Sequence, residues 1–170
     1  MDVAQLLTDA FGRIPDGVHR VVEGLDPDDL AARPAADANS VAWLVWHLTR
    51  VEDDHLADAF DLPQVWDSEG WEQRLGLDLP PGSTGYGHTS AQVAAVRVDD
   101  GALLTGYHDA VHARTLGLVA GLTPADLDRV VDTSWTPHVT LGVRLVSVVN
   151  DATQHLGQAA YVRGLLVGRR

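Results

Sequence analysis

The chain has 170 residues, a net charge of −12 and 45% hydrophobic residues, which suit one compact domain over 1–170 with a sizeable core. The acidic balance argues against nucleic acids and anionic membranes as partners, because binding to phosphates needs a basic surface. The sequence contains no cysteine, which excludes disulfides, zinc–thiolate clusters and a cysteine nucleophile. Any metal ion would therefore be held by nitrogen and oxygen ligands.

The chain has no apolar run of the roughly 20 residues that a membrane span requires. Its first residues, Met-Asp-Val-Ala, lack the basic flank of a secretion signal. These features predict a cytoplasmic protein.

Apolar residues recur at helical spacing along the chain, which predicts an all-α fold. We expect a first helix over about 2–22 that turns Leu6, Ile14 and Val18 inward and kinks or breaks near Pro15. A second helix is expected to be capped by Asn39 or Ser40 and to run to Phe60.

The segment from Asp61 to Ser90 is rich in proline and glycine and predicts a long ordered crossover with one helical turn near Trp71. The aromatic part of this crossover, from Trp66 to His88, is interpreted either as a flap that closes a pocket or as a simple cover over the core.

A third helix is expected over 99–121, followed by a short turn capped by Thr123. Thr140 then caps a fourth helix that runs to about Val167 and ends at Gly168-Arg-Arg170, with Val148, Ala152, Ala159 and Val162 facing the core. These elements together predict a four-helix bundle with a long crossover between the second and third helices.

Asp151 and His155 stand four residues apart on the predicted fourth helix, so both side chains point the same way. His47 lies on an apolar stripe of the second helix, in Trp43-Leu-Val-Trp-His-Leu48. If the bundle packs these two helices together, two imidazoles and one carboxylate converge and leave an open position on a divalent ion. Taken alone, His47 is explained equally well as a buried histidine with a satisfied hydrogen bond.

A rival pair is His108 and His112, which offers two imidazoles at the same spacing and ranks above an aspartate–histidine pair on ligand chemistry alone. The same two residues also suit a solvated helix face. Spacing alone leaves both pairs open.

Two further residues are expected on the Asp151 face. Gln158 suits a hydrogen bond that orients His155 or a bound cofactor. Arg144 could bind an anionic substrate or cofactor, although a structural ion pair explains it equally well.

The segments Trp43-Leu-Val-Trp-His-Leu48 and Asn150-Asp-Ala-Thr-Gln-His-Leu-Gly-Gln158 resemble the DinB/YfiT-like family of bacterial proteins. Features between them, Gly70-Trp71, Thr84-Gly-Tyr-Gly-His88 and Thr140-Leu-Gly-Val-Arg-Leu145, are similar to an actinobacterial branch of unknown function. The resemblance covers nearly the whole chain.

The resemblance implies a four-helix bundle, often homodimeric, that binds zinc or nickel through one histidine of the second helix and two of the fourth. These positions correspond to His47, Asp151 and His155, with Asp151 standing where the family usually has histidine. Family members with assigned chemistry include isomerases and transferases that use mycothiol or bacillithiol. The resemblance therefore implies a metal-dependent enzyme that activates an external low-molecular-weight thiol, or water, toward a small electrophile.

Two other interpretations remain at this point. The first is a non-catalytic stress-response or binding protein whose polar cluster holds the bundle together without metal. The second is a role in DNA repair, which the acidic composition disfavours.

Overall fold

The computed structural model describes residues 1–168, so Arg169 and Arg170 at the expected end of the last helix lie outside the described residues. Nine α-helices, one 3₁₀-helix and two short strands follow one another in these residues. The α-helices are α1 (Val3–Gly12), α2 (Pro15–Val22), α3 (Pro27–Ala31), α4 (Val41–Phe60), α5 (Val65–Ser68), α6 (Trp71–Leu75), α7 (Ser90–Ala95), α8 (Gly101–Val119) and α9 (Leu141–Val167). The 3₁₀-helix spans Pro124–Asp128, and the strands are β1 (Val130–Asp132) and β2 (Val139–Thr140).

Four long helical segments pack together. The first consists of α1 followed by α2, and the other three are α4, α8 and α9. This arrangement confirms the predicted four-helix bundle with its long crossover. Within residues 1–168, no helix combines the length and the apolar character that a bilayer span requires.

The first helical segment breaks at Pro15, which is the first residue of α2. Proline has no N–H to donate to the preceding turn and is well placed at the first position of a new helix. Ile14 and Val18 are buried as expected, whereas Leu6 is 56% exposed, so its predicted inward position was wrong. α1 leaves this leucine on its solvent side.

The two central helices begin at the predicted caps. The side chain of Ser40 accepts a hydrogen bond from the backbone N–H of Trp43, and that of Thr140 accepts one from Val143. These bonds satisfy N–H groups that the first turn of a helix leaves without partners. The predicted core face of α9 is also confirmed, because Val148, Ala152, Ala159 and Val162 are buried.

Side-chain contacts define the directions of the central helices. Trp43, near the start of α4, lies against His155 of α9, while Asp58 near its end shares a cavity with Arg144, so α4 and α9 are antiparallel. Thr49 and Glu52 of α4 contact His108 and Thr115 of α8, respectively, so α4 and α8 run in the same direction. Parallel neighbours require the long crossover.

The crossover contains more regular structure than expected. Three short helices, α5, α6 and α7, replace the one predicted turn near Trp71. The carboxylate of Asp53 accepts hydrogen bonds of 2.8 Å from the backbone N–H groups of Val65 and Trp66, and a third from the Tyr107 hydroxyl. Because Asp53 is buried in α4, these bonds fix the first part of the crossover to the bundle.

Two further features were not predicted. Helix α3 follows Asp26, whose side chain caps it. Strands β1 and β2 form an antiparallel pair in which Val130 lies opposite Thr140. The five residues of α3 and the two or three of each strand carry too short a pattern for periodicity to detect.

Candidate metal centre

His47 on α4 and Asp151 and His155 on α9 come together where the two antiparallel helices face each other. One potential ligand atom from each residue lies within 4.8 Å of the others. His155 Nε2 is 3.5 Å from Asp151 Oδ1, and the rings of His47 and His155 are 4.7 Å apart between centroids. Within residues 1–168, this is the one group of three histidines or acids with such a geometry.

Hydrogen bonds orient both imidazoles. His47 Nδ1–H donates to the carbonyl oxygen of Thr84 at 2.5 Å, and His155 Nδ1–H donates to Oε1 of Gln158 at 2.9 Å. Each ring therefore keeps an Nε2 lone pair free. Metal-binding histidines in proteins usually have such a partner on the second ring nitrogen, since it fixes the tautomer and the orientation of the ring.

The electrostatic environment suits a cation. Burial lowers the pKa of His47, which favours the neutral imidazole that binds metals. The Asp151 carboxylate, 3.5 Å from Nε2, raises the pKa of His155, because it stabilises a positive charge at that nitrogen, whether a proton or a metal ion. Asp151 Oδ2 is buried and has no hydrogen-bond partner in the described residues.

That unpartnered oxygen is the observation that tests the fit of a metal ion. A buried carboxylate oxygen without a partner is costly, and a divalent ion would satisfy it together with the two Nε2 atoms. Two neutral imidazoles and one carboxylate are a ligand set that zinc, nickel and non-haem iron accept. The residues present therefore fit a divalent ion.

A cavity of about 580 Å³ opens directly over His47 and Asp151. Four carboxylates line it, against one arginine, Arg144. The lining residues that α4 contributes are His47, Val51, Asp54, His55 and Asp58, and the others are Thr84, Tyr86, Asp132, Trp135, Arg144, Ser147 and Asp151. The volume is sufficient for a small organic molecule.

Arg144 and Gln158 occupy different surroundings. Arg144 lines the cavity, but its Nη2 donates to Asp132 Oδ2 at 2.9 Å, which is the structural ion pair left open by the sequence. Its Nε is buried without a partner. Gln158 contacts His155 on the side away from this cavity. Cofactor binding by either residue stays a prediction.

The rival pair on α8 lies elsewhere in the bundle. His108 is completely buried and contacts Thr49, and burial lowers its pKa to about 4. The interpretation of His108 and His112 as a solvated face was therefore wrong for His108. Their rings are stacked 6.0 Å apart, and they belong to no group of three potential ligands in residues 1–168.

The crossover is only partly a cover for the cavity. Trp66 and Trp71 are buried in the core, whereas Thr84 and Tyr86 line the cavity. His88 accepts a hydrogen bond from Trp43 Nε1–H and donates one to Ser83 Oγ. It therefore supports the site without lining it.

Sequence reasoning missed several lining residues. Asp132 and Trp135 belong to the hairpin of β1 and β2, which had not been expected. His55 was not among the residues expected at the site. A useful signal was available, because Val51, His55 and Asp58 follow His47 at intervals of three and four residues and so share its helix face.

Comparisons with known proteins identify the family of the chain. The family model described as mycothiol-S-transferase matches residues 6–168. A crystal structure of a conserved protein from Enterococcus faecalis superposes with a TM-score of 0.92, at 33% sequence identity and 99% coverage of each chain. No curated protein matches the sequence. The chain belongs to the mycothiol-S-transferase family, a DinB/YfiT-like metal-binding family.

Proposed function

We propose that this protein is a metal-dependent transferase that joins the sulfur of mycothiol to a small electrophile. The observation that carries the proposal is the convergence of His47, Asp151 and His155, of which His47 and Asp151 line a cavity of about 580 Å³. The family match over residues 6–168 supports the choice of thiol. Zinc or nickel is the ion that we expect at this ligand set.

His47, Asp151 and His155 would hold the divalent ion, which when bound would supply the positive charge that lowers the pKa of a nearby thiol. The chain has no cysteine, and the thiol must therefore come from outside. In the transfer, a C–S bond forms on the electrophile, the bond to the leaving group breaks, and the leaving group departs with its electron pair. The thiol proton passes to solvent.

The residues around the cavity prepare the site. Thr84 and Gln158 hold the two imidazoles in the tautomer that presents Nε2, which avoids the cost of orienting them when a ligand arrives. Tyr86 and Trp135 are largely exposed aromatics at the cavity and offer apolar contact to an electrophile. Arg144 lines the cavity with its Nη2 bound to Asp132, and its buried Nε–H has no partner in the described residues and could donate to a ligand.

The proposal is tested with mycothiol and the chromogenic electrophile 1-chloro-2,4-dinitrobenzene. The protein should accelerate formation of the thioether and release of chloride, a metal chelator should abolish the rate, and zinc or nickel should restore it. The His155→Ala variant should be inactive while its circular dichroism stays helical. A rate that equals the uncatalysed reaction, or that survives in His155→Ala, would contradict the proposal.

We also propose that two copies associate through the outer face of α9. Val143, Val146 and Tyr161 are more than half exposed on this helix, and apolar exposed patches often mark interfaces. The chain carries a net charge of −12, so association is least opposed where the surface is uncharged. Light scattering should show a dimer that Val146→Glu dissociates, and a monomeric wild-type protein would exclude it.

A further inference from the structure

The last part of the crossover, residues 83–88, holds His47 from two sides. The carbonyl oxygen of Thr84 accepts the His47 Nδ1–H bond at 2.5 Å. The indole of Trp43 is stacked on the His47 ring, with centroids 4.5 Å apart. The Trp43 Nε1–H in turn donates to His88 at 3.1 Å, and His88 donates to Ser83 at 2.7 Å.

This arrangement requires the backbone at Gly85 to lie directly against the imidazole. A Cβ atom at position 85 would overlap His47 Nδ1 and lie 3.1 Å from Trp43 Cζ2. Gly85 also has a φ of 97°, which residues with a side chain rarely adopt. The ring of His47 is itself buried between helices, so it has little room to move away.

We propose that Gly85 is a positioning residue for the metal ligand His47. Its missing side chain allows the Thr84 carbonyl to reach Nδ1, and this contact keeps the proton on Nδ1 and the lone pair on Nε2. A side chain at position 85 displaces either the carbonyl or the ring. The inference deepens the proposed function, since it assigns to the crossover the role of preparing one ligand of the metal site.

The same contacts couple the crossover to the metal site in both directions. If residues 83–88 favour the binding form of His47, then a bound ion must favour the ordered form of residues 83–88 by the same free energy, because binding linkage is reciprocal. Metal binding should therefore protect the backbone amides of this segment from hydrogen exchange. A segment away from the site, such as α1, serves as the internal reference.

The test compares Gly85→Ala with Gly87→Ala. Both glycines lie in the same segment at positive φ, 97° and 68°, but a Cβ atom at position 87 meets nothing within 4 Å. Both variants thus place alanine at a positive φ, which is less strained at 68° than at 97°, and only Gly85→Ala adds the overlap with His47, which the tautomer of His47 reports directly. Zinc affinity is measured by competition with a chromophoric chelator on untagged protein.

We expect Gly85→Ala to bind zinc about 10- to 100-fold more weakly than wild type, as is usual when a partner of a metal-binding histidine is lost. Gly87→Ala should stay within about threefold. In the metal-free state, ¹⁵N chemical shifts of His47 should report the Nδ1–H tautomer in wild type and in Gly87→Ala, and a mixture of tautomers in Gly85→Ala. Equal affinities and unchanged tautomers in the two variants would overturn the proposal.

Two measurements separate this inference from the proposed function. Failure of wild type to bind either zinc or nickel would refute the metal-dependent transferase, while the tautomer of metal-free His47 would still decide the role of Gly85. If Gly85→Ala does not fold, hydrogen exchange of wild type with and without zinc provides the decision. Protection of residues 83–88 that does not exceed that of α1 would overturn the coupling.

Discussion

Glu52→Gln should remove a pH dependence from the stability of the bundle. Glu52 is completely buried on α4, where one carboxyl oxygen accepts a 2.6 Å hydrogen bond from Thr115 and the other has no partner in the described residues. Burial, assisted by the neighbouring Asp53, raises the pKa of Glu52 to about 7, although the Thr115 hydrogen bond opposes the shift. Burial dominates because water cannot solvate the ionised carboxylate.

The sign follows from proton binding. The pKa of Glu52 is about 7 in the folded chain and about 4.5 for an unperturbed carboxyl, so the folded state holds its proton more tightly. Its contribution to stability is fully present below about pH 4.5 and is lost as the pH rises through about 7. At about 1.4 kcal/mol per pH unit over this interval, the loss amounts to about 3 kcal/mol.

The assay is urea unfolding of metal-free, untagged protein between about pH 5 and pH 9. The free energy of unfolding of wild type should fall by about 3 kcal/mol relative to Glu52→Gln across this range. The lowered pKa of buried His108 acts in the opposite direction on the acid side, but both proteins share it and it cancels in the difference. The exposed Glu69 gives the control Glu69→Gln, and parallel profiles for wild type and Glu52→Gln would refute the reasoning.

Three further predictions follow from the site and its support. Arg50→Lys should lower the free energy of unfolding by about 2–4 kcal/mol and speed proteolysis of the crossover. A lysine cannot replace the hydrogen bonds that the buried Arg50 guanidinium donates to Ser83, Tyr107 and Gln64. Unchanged cleavage rates would contradict this prediction. In a competition with a chelator, Asp151→His should bind nickel and zinc more tightly than wild type, and Asp151→Asn should bind them more weakly. The reverse order of affinities would show that Asp151 is not a ligand. At low salt, the neutral thiol N-acetylcysteinamide should react with roughly tenfold higher kcat/KM than the anionic N-acetylcysteine, since carboxylates outnumber the one arginine around the cavity. Equal kcat/KM values for the two thiols would exclude selection of the thiol by its charge.

The central helices were predictable because their signals are local. Ser40 and Thr140 cap α4 and α9, and the apolar positions of both helices follow a helical period. The crossover was harder to predict, since its short helices depend on distant partners. Asp53 fixes the start of α5 from twelve residues earlier in the chain, and no pattern within the crossover records that contact.

The choice between the two candidate pairs shows the limit of spacing. His108 with His112 and Asp151 with His155 have the same interval, and the first pair has the better ligand chemistry. The packing of α4 decides between them, because His47 faces α9 while Thr49, two residues later, faces α8. A third ligand is therefore present for one pair, and Thr49 stands beside the other.

The most direct test of the account is the metal content of untagged protein by elemental analysis. Wild type should contain close to one zinc or nickel per chain, and His155→Ala should contain almost none. His112→Ala removes the equivalent residue of the rival pair and should keep its metal. A wild-type protein without metal, or metal that is lost in His112→Ala and retained in His155→Ala, would contradict the assignment of the site.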